Sequence, residues 1–335
     1  MEKKCGRILW IDAARGIAFL AVMFSHLRCR NAEFMSLLSP FFLTVFFFIS
    51  GYLFKSNHSF KYVFEQRTRT LFIPLIVLSL VCSFDLSEVC HGDYSGLISG
   101  VKAAFIQGPD PSQRKLWFIA ALYVFSIAFY FVDKICKNNK MLFFVSFFLF
   151  LINCIYIYYL NGPYTYWYLH SLGLGCSYMG FGKLYKTYEP QLDRYFNKWT
   201  FLALSSFYVI FVFCSKVYYS YVGSRFIIDS LTITLLGILL IIYISKKIAF
   251  KSRYITFVGA NTLLYFAIHG KGYQFLQNWA DKVSGICGNY WYTDLLFDIL
   301  TVLIQAALLM IPTYFVNRYC QFILGKGFHL YKTDK

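Results

Sequence analysis

Ten apolar runs follow one another along this chain, parted only by short basic or turn-rich connections. They are Ile8 to Leu27, Leu37 to Phe54, Leu71 to Phe84, Leu116 to Val132, Met141 to Leu160, Tyr164 to Gly182, Thr200 to Cys214, Phe226 to Ser245, Tyr254 to Leu276 and Trp291 to Val316. Crossing a hydrocarbon core takes about 20 mostly apolar residues, so most of these runs read as spans whose ends shift by a turn. Inside a bilayer an unpaired backbone group finds no water, which leaves helices or a closed barrel. The runs are continuous and do not alternate with period two, so they predict helices. Hydrophobic residues make up 58% and charged residues 14% of the chain, whereas soluble domains carry about 25% charged residues. The expectation is therefore all-α: one polytopic membrane helix bundle over residues 1–335, with about ten transmembrane helices.

Charge sets the orientation. Connections on one side carry 22 Lys and Arg residues and those on the other carry 8, with Arg15 and Lys271 inside runs completing the 32. The richer side includes Lys3, Arg7, Lys55, Arg67, Arg69, Lys134, Lys183, Lys246, Arg253 and Arg318. The positive-inside rule places that side, and with it both termini, in the cytoplasm. The same rule accounts for the net charge of +16, so nucleic acid is not an expected partner; the bilayer is. The first run is too long for a signal-peptide core and no small-residue cleavage pattern follows it, so it reads as retained.

Ionisable side chains are costly in a bilayer and mark function there. Asp12, Arg15 and His26 all fall in the first run. At about 100° per residue, eleven steps bring His26 to within roughly 20° of Arg15, and Asp12 lies one turn before Arg15. One stripe thus carries all three, with Arg15 and His26 about 16 Å apart along the axis. A neutral imidazole can take a proton from a hydroxyl attacking a carbonyl, which makes His26 the candidate base. Asp12 is placed to hold Arg15 as an i, i+3 pair, and Arg15 to contact an anion from the cytoplasmic half. Arg67 and Arg69, expected on the inner loop before Pro74, add charge suited to phosphate, although a topology signal needs the same residues.

Other features admit two readings. The outer loop Asp85 to Lys115 holds an apolar stretch, Leu97 to Ile106, too short to span: a lid, a re-entrant piece or an interfacial helix, or a passive connector. Ser50, Gly51 and Tyr52 suit a small-residue helix contact as well as a site. Trp117 is an interface anchor or a sugar platform, and the Tyr164 to Tyr168 aromatics suit the interface. Asn261 and His269, eight residues apart, fit glycan contacts or interhelical polar contacts. Asp229, Asp294 and Asp298 fall in later runs, where Lys271 or Arg225 can neutralise one of them. His58, His91, His170 and His329 read as loop or boundary residues. The ten cysteines lack metal-ligand spacing, and no metal is expected; Cys82 and Cys90 are an open pairing.

Taken in order, these elements resemble the acyltransferase-3 family of integral membrane acyltransferases. They are Ile11-Asp12-Ala13-Ala14-Arg15-Gly16 with His26 eleven residues after Arg15, then Phe48-Ile49-Ser50-Gly51-Tyr52-Leu53-Phe54, and then Arg67, Arg69 and Pro74. Leu116-Trp117-Phe118-Ile119 and Val258-Gly259-Ala260-Asn261-Thr262-Leu263 with His269 are similar to later family elements, so the likeness covers essentially the whole chain. One departure is that Arg67 and Arg69 have one residue between them, where many relatives have two.

The resemblance implies acetyl-CoA, or a related acyl-CoA, as a cytoplasmic donor that is a cosubstrate and not a resident cofactor. It implies transfer to a hydroxyl of a cell-surface glycan or lipid-linked sugar, with an inner-membrane location. By position, His26 becomes the base or a transient acyl carrier, Arg15, Arg67 and Arg69 donor-binding residues, and Trp117, Asn261 and His269 acceptor-side residues. Without an extra esterase-like domain, the chain looks more like the compact branch that acts on fucose or enterobacterial-common-antigen-type sugars than like the larger relatives. A transporter or flippase of a lipid-linked sugar also needs buried polar residues, but no inverted internal repeat supports it.

Overall fold

A computed structural model describes residues 8–27, 32–84, 89–110, 112, 116–214, 227–270, 273–286 and 290–325. The described residues form helices and no strands. In chain order the helices are α1 (Leu9–Ser25), α2 (Ala32–Leu38), α3 (Thr44–Tyr52), α4 (Phe60–Arg67), α5 (Ile73–Ser83), α6 (Ser95–Ile106), α7 (Trp117–Ile135), α8 (Asn139–Cys154), α9 (Leu172–Tyr195), α10 (Lys198–Cys214), α11 (Ile227–Ile248), α12 (Arg253–Ala260), α13 (Thr262–Ile268), α14 (Tyr273–Ile286), α15 (Trp291–Leu308) and α16 (Met310–Tyr319). Among the described residues four segments are long and apolar enough to cross a membrane: Trp117–Ile135, Asn139–Ile157, Ser230–Ile248 and Trp291–Tyr319. The pair Tyr166–Tyr195 and Lys198–Cys214, bent by 112°, brings the number to five when it is counted as one broken span.

The helices cluster into two compact units, one of Met1–Ile49 and Tyr185–Ile311, the other of Ser50–Leu184 and Pro312–Lys335. In the first unit α1 is the central helix, packed on α12, α11 and α15. Its alanines Ala13, Ala14 and Ala18 are fully buried, so backbones can approach closely there, as small residues allow in membrane bundles. The ninth apolar run is not one helix: Asn261 breaks it into α12 and α13, its backbone N–H capping α12 through the Val258 carbonyl at 3.0 Å. Lys246, expected on an inner loop, ends α11 and is paired with Glu189 at 2.6 Å and Asp193 at 2.6 Å, both on α9. These carboxylates are in place because α9 continues well past the expected end of its run at Gly182.

The second unit corrects one expectation directly. Arg67 and Arg69 do not lie on a loop: α4, a π-helical turn Thr68–Phe72 and α5 form one unbroken helical rod from Phe60 to Ser83. Pro74 lacks a donor N–H and its ring crowds the carbonyl four residues back, so a widened turn just before it relieves the clash and keeps the rod intact. The rod lies along α7, where Thr68 and the Tyr123 hydroxyl are 3.1 Å apart. Further along, Lys183 ion-pairs with the buried Asp133 and also donates to Ser56 Oγ at 2.6 Å. The apolar stretch after Tyr94 becomes α6, packed on α5, and is too short to span. Cys82 and Cys90, whose pairing was open, are both thiols.

Candidate functional site

Two glycines fix the heart of the first unit. A Cβ on Gly259 of α12 would lie 1.6 Å from the Asp12 carbonyl oxygen, and one on Gly16 of α1 would lie 2.2 Å from the Ile255 carbonyl oxygen. Neither position admits a side chain, so α1 and α12 meet backbone to backbone. That crossing sets how the chain beyond α12 runs past the far half of α1. Phe19, fully buried, then wedges its ring against Phe266 at 4.7 Å, Tyr265 at 5.7 Å and His269 at 5.7 Å. Edge-on ring contacts of this kind add about 0.5–1.5 kcal/mol each beyond their burial.

The outcome is a pair of histidines from opposite ends of the sequence. His26, the C-cap of α1, retains αR dihedrals of φ −89° and ψ −9°, so the angular argument that puts it on the Arg15 face carries through the helix end. Its ring centroid lies 5.1 Å from that of His269, the C-cap of α13. His26 is exposed and His269 half-buried. The His269 Nδ1 contacts the Tyr265 and Phe266 carbonyl oxygens, each at 3.0 Å. Carbonyls only accept, so Nδ1 carries the hydrogen and Nε2 of the neutral ring is left with a lone pair. The ring is thereby held in one tautomer beside His26.

Helix α15 supports this arrangement from behind. Gln305 donates its amide to the His269 backbone carbonyl, Tyr265 donates its hydroxyl to the Ala306 carbonyl at 2.9 Å, and Tyr254 donates to the Leu303 carbonyl at 2.8 Å. Asp298, Thr301 and Gln305 are all buried and follow one another at helical spacing. Asp294, half-buried, begins the same stripe one turn earlier. The side chain of Asp229, together with Lys271, Arg225 and His329, lies outside the described residues.

The other candidates separate in kind. Asp12 is buried in the first turn of α1, where a carboxylate favours the helix dipole, and Arg15 one turn on is half-buried. Asn261 spends its amide on the Phe257 carbonyl at 2.8 Å and sits at the opposite end of α13 from His269, so the structure does not bring these two together. Ser50 and Tyr52 are buried, and a Cβ on Gly51 would lie 1.8 Å from the Met179 carbonyl oxygen, the close helix contact that small residues permit. Arg67 precedes the π turn of the second unit and Arg69 lies within it, and both are half-buried. Trp117 opens α7 and packs its ring on Tyr168 at 5.1 Å.

A protein-family model described as an acyltransferase domain matches residues 8–317. The chain belongs to the acyltransferase-3 family. Comparison with curated proteins and with solved structures returns no match. For this acyltransferase-3 chain the matched stretch runs from the start of α1 into α16, and so includes every candidate residue from Asp12 to His269 as well as Gln305. Gln305 and Phe19 were not anticipated from the sequence. The spacing of Asp294, Asp298, Thr301 and Gln305 in an apolar run was a usable signal for the first; an apolar Phe in an apolar helix gives none for the second.

Proposed function

We propose that this acyltransferase-3 protein is an O-acetyltransferase of the inner membrane, moving an acetyl group from cytoplasmic acetyl-CoA to a hydroxyl of a cell-surface glycan or lipid-linked sugar. The observation that carries this reading is the His26–His269 pair, held by Phe19 and α15 at the end of the helix that also bears Arg15. In the reaction, His26 takes the proton of the acceptor hydroxyl as its oxygen attacks the thioester carbonyl. The C–O bond forms, the C–S bond breaks, and the departing thiolate recovers the proton, leaving an ester and free CoA. His269, neutral and fixed with Nδ1 toward carbonyls, holds the neighbouring imidazole in an uncharged setting and acts as a positioning residue. Arg15 in the first unit is a donor-binding residue in this reading, and so, within the second unit, are Arg67 and Arg69, whose guanidinium groups suit phosphate. A transient acyl-His26 is the variant of the same scheme in which the imidazole itself attacks.

The topology that goes with this reading has about ten spans and both termini in the cytoplasm, so α1 runs from the inner face toward the outer one. The spans beyond the five long ones are then short or broken helices such as α3 and the α12–α13 pair. The test is radiolabelled acetyl transfer in membranes. His26→Ala abolishes incorporation into glycan, a loss of about 10²–10⁴-fold for a general base, while CoA binding is retained. A His26→Ala protein that transfers acetyl normally refutes the proposal, and sugar movement without acetylation turns it into a transporter.

A further inference from the structure

All five residues other than glycine with a positive φ among the described residues fall in the second unit, namely Gln107 (44°), Leu116 (50°), Asn161 (45°), Trp167 (55°) and Tyr168 (59°), and of these Asn161 and Tyr168 line one cleft. Left-handed backbone is strained for a residue with a Cβ, and such strain collects where a ligand is met. Here it has a visible effect. Leu116 turns the chain so that Trp117 opens α7, and the left-handed Trp167 and Tyr168 bend the segment ahead of α9 so that Tyr168 comes against the Trp117 ring at 5.1 Å. The Trp167 N–H is anchored to the Gln107 carbonyl at 2.9 Å.

The cleft measures about 780 Å³ and is lined by Trp117, Asn161, Tyr164, Tyr168, His170 and Ser171 with a few apolar neighbours. That volume lies in the range of small-molecule sites, roughly 300–1,000 Å³. No Lys, Arg, Asp or Glu contributes to the lining, which disfavours a phosphate or nucleotide. Three aromatic rings offer flat apolar faces, and Tyr164 and Trp117 show them to the outside, at 59% and 37% exposure. The polar groups have fixed roles. The Thr165 N–H donates to His170 Nδ1 at 3.3 Å and the His170 N–H to Thr165 Oγ1 at 2.8 Å, so Nδ1 accepts and Nε2 of the neutral ring carries an N–H. Aromatic faces beside uncharged donors and acceptors match a ring with one C–H face and equatorial hydroxyls. The cleft opens at the α7 end remote from Lys134, seventeen residues or about 25 Å along the axis, hence at the outer face when the basic end is cytoplasmic.

We infer that this cleft is a subsite for a neutral pyranose of the acceptor, stacked on Trp117 and Tyr164 and hydrogen-bonded by His170 and Asn161. The inference rests on the glycan-acetyltransferase reading and names where the body of the glycan is held. It is tested on the full chain in nanodiscs by tryptophan fluorescence and saturation-transfer NMR. The probes are neutral disaccharides built from glucose, galactose, mannose, N-acetylglucosamine and fucose. At least one is expected to bind saturably, with Trp117→Ala weakening it by about tenfold, as for a central aromatic contact. Trp117→Phe retains most of the binding, and His170→Ala weakens it while the thermal melt stays unchanged. Failure of the whole panel to bind, or binding that Trp117→Ala and His170→Ala leave intact, overturns the subsite. Sugar binding at the cleft with no acetyl transfer by the parent sinks the transferase reading and keeps the subsite. Transfer by Trp117→Ala at an unchanged acceptor KM does the reverse.

Discussion

The crossing of α1 and α12 makes Gly259→Ala the most informative single change outside the histidines. The new Cβ would stand 1.6 Å from the Asp12 carbonyl oxygen and 2.6 Å from the Gly16 nitrogen, both backbone atoms that cannot swing aside. Restoring an ordinary contact of 3.4 Å moves the helices apart by about 1.8 Å. Overpacking of this sort costs about 1–3 kcal/mol of stability, which lowers but does not abolish the folded population. The larger effect is on chemistry. Phe19 ties α1 to His269, and α15 holds His269 through Gln305, so a shift of α1 opens the His26–His269 contact. A misplacement of about 1 Å can cost on the order of a hundredfold in rate. The assay is the initial rate of radiolabelled acetyl transfer, normalised to folded protein measured by size-exclusion fluorescence. Gly259→Ala is expected to lose between about tenfold and a hundredfold per folded molecule. Gly270→Ala is the matched control, since a Cβ there meets nothing within 4 Å, and it should run at the parent rate. A fully active Gly259→Ala, or an equal loss in Gly270→Ala, refutes the idea that this crossing positions the pair.

Arg69→Gln should raise the KM for acetyl-CoA by about tenfold or more, the loss of one charge-assisted hydrogen bond, with kcat little changed; a kcat effect alone would contradict a donor-binding role. Asp133→Asn leaves Lys183 facing a neutral partner and should lower the melting temperature by the equivalent of about 3–5 kcal/mol, whereas Asp133→Leu with Lys183→Met should cost much less; equal losses would show that the pair contributes beyond charge neutralisation. Orientation can be read by a membrane-impermeant maleimide on intact cells, where the exposed Cys90 labels at once. Burial pushes the Cys136 thiol up, which leaves less thiolate at neutral pH and makes it a slow reporter. Lys137→Cys, at an exposed neighbouring position, replaces it and should label only after the membrane is opened; labelling from outside would invert the topology.

Much of this was legible before any coordinates, and the reason differs residue by residue. The Arg15–His26 relation is a local property of one uninterrupted helix, so a rotation of 100° per residue was enough to foresee it. The all-helical class followed from continuous apolar runs, which no open strand arrangement in lipid can satisfy. Where two effects competed, the sequence misled. Basic residues between apolar runs suggested a loop at Arg67 and Arg69, yet nothing between Phe60 and Ser83 stops a helix except Pro74, and a π turn absorbs that. The run from Tyr254 to Leu276 looked continuous because Asn261 is not a strong breaker; here its side chain bonds back to the Phe257 carbonyl and ends α12.

Tertiary pairing explains the remainder. His26 and His269 are 243 residues apart, and their contact depends on two glycines that sequence alone shows only as small. Gly16 lies one residue after Arg15, and Gly259 lies on the helix just before the one that His269 caps. A helix that must carry a guanidinium and an imidazole through an apolar core cannot also present large side chains where it crosses its neighbour. The Asp12-Ala13-Ala14-Arg15-Gly16 segment meets both demands: its charged groups flank small ones, and the backbones cross at the Asp12 carbonyl and Gly16, where no bulky side chain intervenes. Enlarging Ala13 or Ala14, each wholly buried, should therefore damage activity through His26 placement even though neither approaches the reacting groups.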